Sequence, residues 1–343
     1  MHNKVSIALL SLIGLSSQAS YAAPWTHNLY FENDLFADTD QSYTNGIRLS
    51  WVSPDLDNYL YDPNIPEVLR DVNRWFVPLY PVKEKVTDNV QRNLVFTIGQ
   101  QMYTPEDRER VTIDPDDRPY AGWLYAGFGY HAKTANKLNS VELNLGVVGP
   151  ASLAKEAQDL VHRTRGIERF DGWHNQLENE PGIQIVYEHK NRIQKDWFYG
   201  NTEYDVITHF GGSLGNVATY INSGAEVRFG FNLPDDFGTS ALRPGGDNSA
   251  PGNKLYSQKR GWGAHAFMSI DGRWVIHNIF LDGNSYQDSH AVQKKPFVAD
   301  AAIGIAAVYD NWKVSFAHVY RTKEFETQDD PQRYGSLSIS YIY

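Results

Sequence analysis

His162 and Glu168, six residues apart, are candidates for acid–base chemistry. An imidazole titrates near neutrality and can accept a proton from water, so His162 could act as a general base. Glu168 could orient that imidazole or help to hold a metal ion. A solvated histidine and an ordinary loop carboxylate explain the same two residues, and the residue pattern alone leaves both interpretations open.

A short helix is the element that would carry His162. Ser152 is a suitable N-cap, and Gly166 suits the C-terminal end. Apolar residues recur at helical spacing on one stripe, formed by Leu153, Ala157, Leu160 and Val161. At about 100° per residue, His162 falls off this stripe, on the polar side near Lys155 and Gln158. If the helix forms part of a site, we expect His162 to be inaccessible to solvent and Leu160 to face lipid.

Oxygen-bearing side chains gather near the first predicted hairpin. Asn33 and Asp34 lie at the outer end of the first strand, and Thr44 shares the inward parity of residues 46, 48 and 50 on the second. Carboxylate, amide and hydroxyl oxygens are hard ligands, which suit calcium better than zinc. Turn chemistry explains the same residues, and the sequence at 38–40 does not continue into an EF-hand.

The composition excludes several classes of protein. The chain has 343 residues, no cysteine and a net charge of -10, which exclude a disulfide scaffold and argue against a nucleic-acid partner. The first residues have the features of a signal peptide, which is predicted over 1–23. These features are Lys4, an apolar stretch over 5–15 and small residues at 20, 22 and 23. Residues 24–343 then form one domain, in which no apolar run approaches the roughly 18 residues of a spanning helix.

The mature chain alternates apolar and polar residues in segments of about ten, which is typical of a membrane β-barrel. Its last segment shows the pattern most clearly, although an ordinary last strand of a soluble sandwich is the alternative. Asp271-Gly272 could form a hairpin turn, but Met268 and Ile270 before it share their parity with Trp274 and Ile276 after it. The alternation therefore continues past this point, and 261–283 is predicted to be a single strand. Strands are predicted at 25–33, 43–52, 91–103, 120–132, 139–149, 181–190, 194–209, 218–232, 261–283, 296–309, 312–324 and 333–343. The predicted fold is all-β, a twelve-stranded antiparallel outer-membrane barrel with a short helix in an extracellular loop.

With both termini in the periplasm, the connections divide between the two faces of the membrane. The outward ones are predicted at 34–42, 104–119, 150–180, 210–217, 284–295 and 325–332. Residues 53–90, with a helical stretch near 67–76, and residues 234–260 are predicted on the periplasmic side. Ser213 lies in a Gly-x-Ser-x-Gly pattern, but a nucleophile elbow needs a strand that turns into a helix. We therefore assign Ser213 to a glycine-rich hairpin tip, and His265 and His277 to the barrel lumen.

Several motifs together resemble the LpxR-type lipid A 3'-O-deacylase family. They are Phe31-Glu32-Asn33-Asp34-Leu35-Phe36, Tyr43-Thr44-Asn45-Gly46, Gly149-Pro150, Gln158, His162, Gly172-Trp173 and Gln176-Leu177. The resemblance covers the whole mature chain in order and spacing. It implies a twelve-stranded outer-membrane barrel whose active site, between the wall and a helix of an outer loop, uses Ca²⁺ and a catalytic histidine. The functional residues of the family fall on Asn33, Asp34, Thr44, His162 and Glu168.

The chemistry that the resemblance implies is hydrolysis of an acyl ester without a covalent intermediate. His162 would deprotonate a water that attacks the carbonyl carbon, and calcium held partly by Asp34 would stabilise the oxyanion. Glu168 and Asn33 would orient the histidine, the water or the metal shell. Thr44 would contribute an oxygen at the barrel wall.

Basic residues crowd the second and third predicted outer loops. Arg110 is the best counterpart of a basic, substrate-binding residue that the family places in the second loop. The others are Arg108, Arg118, Lys155, Arg163, Arg165 and Arg169, which could meet lipid A phosphates or form a solvated surface. The expected protein is a monomeric, multi-pass outer-membrane enzyme acting on lipopolysaccharide. The alternatives are a non-enzymatic barrel, such as a channel or surface-binding protein, and an outer-membrane phospholipase.

Overall fold

The computed structural model describes residues 25–34, 45–63, 65, 67–80, 90–166, 168–239 and 261–342. Consecutive strands pair antiparallel, and β1 also pairs with β12, so the sheet closes into a barrel. The strands are β1 (Thr26–Asn33), β2 (Asn45–Val52), β3 (Gln91–Tyr103), β4 (Ala121–Lys133), β5 (Lys137–Val148), β6 (Glu180–Tyr199), β7 (Thr202–Gly215), β8 (Ala218–Phe231), β9 (Trp262–Asn278), β10 (Phe297–Tyr309), β11 (Trp312–Arg321) and β12 (Gln332–Ile342). The prediction of a twelve-stranded all-β barrel is confirmed.

Helices occur only in the connections of the described chain. They are α1 (Glu67–Trp75), α2 (Ala154–Arg165) and the single turn α3 (Ile279–Asp282). None of the described helices is long and apolar enough to cross a membrane. The predicted signal peptide over 1–23 and the predicted site residue Thr44 lie outside the described residues.

Alternating side chains give the barrel an apolar outside and a polar, filled inside. On β5, Ser140, Glu142 and Asn144 are buried in the lumen, whereas Leu145 is exposed. The Glu142 carboxylate accepts a hydrogen bond from the Arg48 guanidinium at 2.8 Å, and both side chains are almost fully buried. Because side chains alternate between the two faces, these charged residues point into the lumen. Each charge buried there needs a partner of opposite charge.

The prediction was wrong for the hairpin between β6 and β7. A turn was expected at 191–193, but β6 continues to Tyr199 and the chain turns at Gly200, which has a φ of 59°. The register of β6 against β7 shifts between Arg192 and Gln194, and this irregularity interrupts the alternation at the place where a turn was expected. The predicted outward loop at 210–217 was also too long, since β7 runs to Gly215.

The prediction also placed the end of β9 too late. The expected strand over 261–283 passes straight through Asp271-Gly272, as predicted, but it ends at Asn278. The Asn278 side chain accepts a hydrogen bond from the Phe280 amide and begins α3, which buries Ile279, Phe280 and Leu281. A local N-cap therefore overrides the alternation that predicted a longer strand.

The two longest periplasmic connections pack on opposite faces of the wall. Leu56, Tyr59 and Ile65, between β2 and β3, pack against Leu94 and Tyr130, which share a row with the exposed Tyr187 and therefore face outward. Between β8 and β9, Phe237 is buried beside the cationic groups of Lys133 and Arg192, and Asp236 pairs with the buried Arg228 and with Lys313. Only the described part of the second connection therefore enters the lumen.

Candidate active site

Helix α2 lies against the outer ends of β3 and β4. A Cβ atom on Gly122 would lie 2.2 Å from the Ser152 hydroxyl and 2.3 Å from the Ala154 Cβ, so only a glycine lets the helix approach this closely. An apolar cluster fixes the contact and consists of Met102, Tyr120, Ala154, Phe170 and Trp173. The position of the helix is therefore determined by a missing side chain on β4 and by aromatic packing beside it.

The start of α2 differs from the prediction. Ser152 was expected to cap the helix, but residues 150–152 form a 3-10 turn, and Leu153 precedes the helix in a left-handed conformation with a φ of 58°. The Ser152 carbonyl instead accepts a hydrogen bond from Gln100 of β3 at 2.6 Å. The predicted end is confirmed, because Gly166 adopts a φ of 69° after Arg165.

The helix buries Gln158 and His162 of its polar face and exposes Leu153 and Leu160 of its apolar stripe, whereas Ala157 and Val161 are half-buried. Ala154, Gln158 and His162, which recur every four residues, are the buried side chains, whereas Leu160 is 60% exposed. This is the orientation that a role of His162 in a site requires. Lys155, expected on the same side as His162, is exposed.

The His162 imidazole is 2% exposed and anchored at one nitrogen. Its Nδ1 atom lies 2.5 Å from the backbone carbonyl oxygen of Glu168. A carbonyl can only accept, so Nδ1 carries the proton in this contact and the lone pair of a neutral ring lies on Nε2. The Glu168 side chain itself is exposed, so Glu168 meets His162 through its backbone.

Gln158 shares the buried face of α2 with His162 and makes only part of its possible hydrogen bonds. Its Oε1 atom accepts from the Trp173 indole at 2.6 Å. Its Nε2 atom is buried with no hydrogen-bond partner among the described residues. No role was predicted for Gln158, although its spacing of four from His162 places both residues on one helix face.

Asn33 and Asp34 are both buried at the outer end of β1. Asn33 pairs in register with Asn45 of β2, whose Oδ1 atom is buried without a hydrogen-bond partner in the described chain. Among the described residues, no group of three or more His, Asp or Glu side chains could hold a metal ion. A cation at this rim would therefore need amide, hydroxyl or backbone oxygens in addition to Asp34, which is the donor chemistry that calcium accepts.

Strand register relates this rim to α2. Asn33, Asn45, Met102 and Gly122 form one row across β1 to β4. Three strand spacings separate the ends of this row by about 14 Å. A twelve-residue helix is about 18 Å long, so α2 is long enough to cover the distance from its seat on Gly122 to the first hairpin.

Arg110, the predicted substrate-binding residue, forms an ion pair with Asp114 and is partly exposed. Arg108 is connected more directly to α2. Its carbonyl accepts a hydrogen bond from the Asp171 amide, and its guanidinium lies 5.9 Å from the centre of the Phe170 ring. Phe170 also packs against His162, with 5.8 Å between the ring centres. The structure therefore places Arg108 near the histidine through one shared aromatic ring.

The outer loops hold one another in place around α2. The Asn175 amide donates to the Val111 carbonyl, and the His290 imidazole contacts the Asp117 carbonyl at 2.6 Å. Arg118 and Glu324, which are 206 residues apart in sequence, form a buried ion pair at 2.5 Å. These contacts join four separate outer connections, so the surroundings of His162 are held together by the protein itself.

The motif around Ser213 is structural. Ser213 lies within β7, donates to the Ala218 carbonyl and accepts from the Gln184 amide, each at 2.8 Å. Ser213 is therefore not part of a nucleophile elbow, as predicted, although it belongs to a strand and not to the predicted hairpin tip.

Comparison with known proteins decides the family. The family model described as "Outer membrane protein LpxR" matches residues 5–343. The chain belongs to the LpxR family. An LpxR-family protein with this closed barrel is an outer-membrane protein that crosses the bilayer many times, as predicted.

The chain is similar to solved structures over most of its length. LpxR from Salmonella typhimurium is 21% identical, with a TM-score of 0.69 over 93% of this chain and 100% of that chain. The β domain of the Bordetella autotransporter BrkA is 8% identical, with a TM-score of 0.43 over 94% of this chain and 98% of that chain. Compared with curated protein sequences, the chain has no match.

Proposed function

We propose that this LpxR-family protein is a calcium-dependent esterase that acts as a monomer and removes the 3'-linked acyloxyacyl chain from lipid A. The observation that carries the proposal is the buried His162, whose Nδ1 is anchored to the Glu168 carbonyl on a helix seated at the outer rim. An anchored imidazole with a free lone pair on Nε2 is suited to take a proton from water.

In the proposed reaction, His162 removes a proton from a water molecule at Nε2, and the resulting hydroxide attacks the ester carbonyl carbon. The imidazolium then returns the proton to the leaving alkoxide. Glu168 supports the positive ring, because its carbonyl accepts from Nδ1 throughout the cycle. Asn33 and Thr44 orient the water and the surrounding oxygens. No covalent acyl-enzyme forms, since the nucleophile is water.

Asp34, Asn33, Asn45 and Thr44 are the residues we propose to hold calcium. Buried oxygen donors at the end of β1 and the start of β2 support this assignment, among them the Asn45 Oδ1 atom. When bound, the ion supplies positive charge that stabilises an oxyanion at the ester carbonyl.

The anionic substrate would meet a locally basic rim. Arg108 lies beside Phe170, and Arg110 lies on the same loop, so both are proposed to contact lipid A phosphates. The lumen favours this function over a channel, because buried ion pairs occupy it, among them Arg48 with Glu142 and Arg228 with Asp236 of the β8–β9 connection.

The test is mass spectrometry of lipid A and phospholipids from cells that produce the wild type or His162→Ala, with and without a calcium chelator. Loss of the 3' chain only with the wild type and only with calcium supports the proposal. If phospholipids lose chains and lipid A does not, the protein is a phospholipase. If neither lipid changes while the barrel is folded in the outer membrane, the non-enzymatic alternative holds.

A further inference from the structure

A groove of about 760 Å³ crosses the outside of the barrel on β8 to β11. Its walls are mostly apolar, and its large side chains are Ile221, Trp274, Phe297 and Tyr320, all exposed. The volume lies in the range of small-molecule sites, roughly 300 to 1,000 Å³. The groove therefore has the size and lining of a binding site for an apolar chain.

Strand register explains why the wall is concave there. Ser223 pairs with Gly272, Gly272 pairs with Ala299, and Ala299 is hydrogen-bonded to Thr322. These four residues form a row of small groups across four strands, next to a row that carries Ile221, Trp274 and Phe297.

The floor of the groove has room for a side chain. A Cβ atom on Gly272 would have no neighbour closer than the Ser223 carbonyl oxygen at 3.9 Å. On the neighbouring strand, a Cβ on Gly224 would lie 2.1 Å from the Ile270 carbonyl oxygen. Gly272 is thus not required for strand packing, and a large residue at this position would fill the groove without displacing backbone.

Cationic groups stand at the outer end of the groove. Lys323 and Lys295 line it where β11 ends and β10 begins. The Lys295 ammonium pairs with Glu326 at 2.6 Å, whereas the Lys323 ammonium has no ion pair or hydrogen bond with any described residue. On a chain of net charge -10, an available lysine above an apolar groove is complementary to an anionic lipid headgroup.

This groove is separate from the candidate active site. Helix α2 lies on β3 and β4, whereas the groove is centred on β9 and β10, six strands away in a closed barrel of twelve. One lipid chain cannot occupy both places. The groove lies near the outer ends of its strands, at the same end of the barrel as α2, and so at the depth of the outer leaflet.

We propose that the groove is a second lipid site, which holds an acyl chain of lipopolysaccharide beside Gly272 with a lipid phosphate at Lys323. The Lys323 ammonium, which has no ion pair with any described residue, favours a phosphorylated, anionic lipid over a zwitterionic phospholipid. The proposed occupant is a resident lipid and not a reacting one. The assignment does not depend on the esterase activity, since no residue of the groove belongs to the candidate active site.

The experiment measures the lipopolysaccharide that remains on the purified full-length protein after exchange into fresh detergent, by mass spectrometry. Gly272→Phe fills the groove and Lys323→Glu reverses its charge. Matched controls are Ala266→Phe, an exposed position on the same strand outside the groove, and Lys137→Glu, an exposed lysine at the other end of the barrel. Heat-dependent migration in gels verifies that every variant is folded.

We expect Gly272→Phe to lower retention about tenfold, the effect of withdrawing about two buried methylene groups. Lys323→Glu should lower it about threefold, as expected for a partly exposed ion pair. Both controls should retain lipid as the wild type does. Unchanged retention in Gly272→Phe and Lys323→Glu would overturn the proposal, and so would retention of phospholipid in place of lipopolysaccharide.

A photocrosslinker locates the bound lipid. The protein carries a benzophenone residue in place of Phe297 in the groove or in place of Ile183, which is equally near the outer rim but on β6. In phosphatidylethanolamine nanodiscs with trace lipopolysaccharide, position 297 should crosslink lipopolysaccharide and position 183 should not. Equal crosslinking at the two positions would show only annular lipid and would refute a specific site.

Discussion

The Nδ1 atom of His162 lies 2.5 Å from the carbonyl oxygen of Glu168, so the ring is oriented by the backbone just beyond the helix that carries it. Gly166 makes this contact possible, because its left-handed conformation ends α2 and turns the chain back toward the histidine. A backbone acceptor cannot be removed by protonation or by most substitutions. The orientation of the imidazole therefore belongs to the fold of the loop.

His162→Gln should lower lipid A deacylation by about 10² to 10⁴-fold, because glutamine preserves polarity but cannot act as a base near neutrality. The measurement is the initial rate on purified lipid A. Leu160→Gln, on the exposed face of the same helix, is the matched control and should retain activity. Equal losses in both variants would indicate that the helix is merely sensitive to substitution.

Gly122→Val should displace α2, since its Cβ would begin 2.2 Å from Ser152 and 2.3 Å from Ala154. Crowding of this kind typically destabilises a packed site by about 1 to 3 kcal/mol, and the outer loop would avoid this cost by moving away from the wall. We expect loss of activity with an intact barrel, and faster proteolysis of 150–179. Gly272→Ala, at a strand glycine with room for a Cβ, should change none of these properties. Normal activity in Gly122→Val would contradict the described seat of the helix.

Removal of one partner of the buried pair Arg48 and Glu142 should destabilise the barrel. Both side chains are 1% exposed, so Glu142→Ala leaves a buried guanidinium without its carboxylate and should cost about 3 to 5 kcal/mol. Unfolding by urea in detergent measures the loss. The double variant Arg48→Met, Glu142→Leu should recover much of it, because no charge is then buried alone. A double variant as unstable as the single one would argue against an electrostatic cause.

Acid should loosen the outer loops through Glu324. Burial raises the pKa of Glu324, but the guanidinium groups of Arg118 and Arg321 outweigh burial and hold the pKa below its ordinary value of 4.5. The stabilisation is therefore complete above pH 4.5 and is lost as the pH falls through the lower value of the folded protein. Hydrogen exchange in 104–120 and 322–331 should quicken over that range.

Glu324→Gln provides the control for this pH dependence. The amide cannot ionise, so the two loops should exchange faster already at neutral pH and respond less to acid. If the wild type and Glu324→Gln showed the same pH dependence, another group would have to be responsible.

The strands were predictable where alternation is unbroken. The bounds of β3 match the prediction, and those of β4, β5 and β8 fall within two residues of it, because period two is a local property of the sequence. The bulge near Arg192 interrupts the alternation within β6, so the end of that strand was predicted too early. The N-cap at Asn278 ends β9 although the alternation continues, so the end of β9 was predicted too late. In each case a single residue changed the hydrogen bonding of its neighbours.

The surroundings of His162 were less predictable than the helix itself. Apolar spacing located α2, and the conditional expectation of a buried His162 with an exposed Leu160 holds. The causes could not be predicted, because they are a glycine on β4 beneath the helix and the indole donor of Trp173 in the same loop. The partnership of Arg118 with Glu324 spans 206 residues, and no local pattern encodes it. Thr44, a predicted site residue, lies outside the described chain and stays a prediction.

The two connections at the periplasmic end stabilise the sheet from opposite sides. Tyr59 packs on the outward-facing Tyr130, whereas Asp236 is bound inside the lumen by Arg228. The same strands therefore have protein contacts on the face that lipid would otherwise cover and on the face that water would otherwise fill. The lower part of the wall is thus the part of the barrel with the least room to change its curvature.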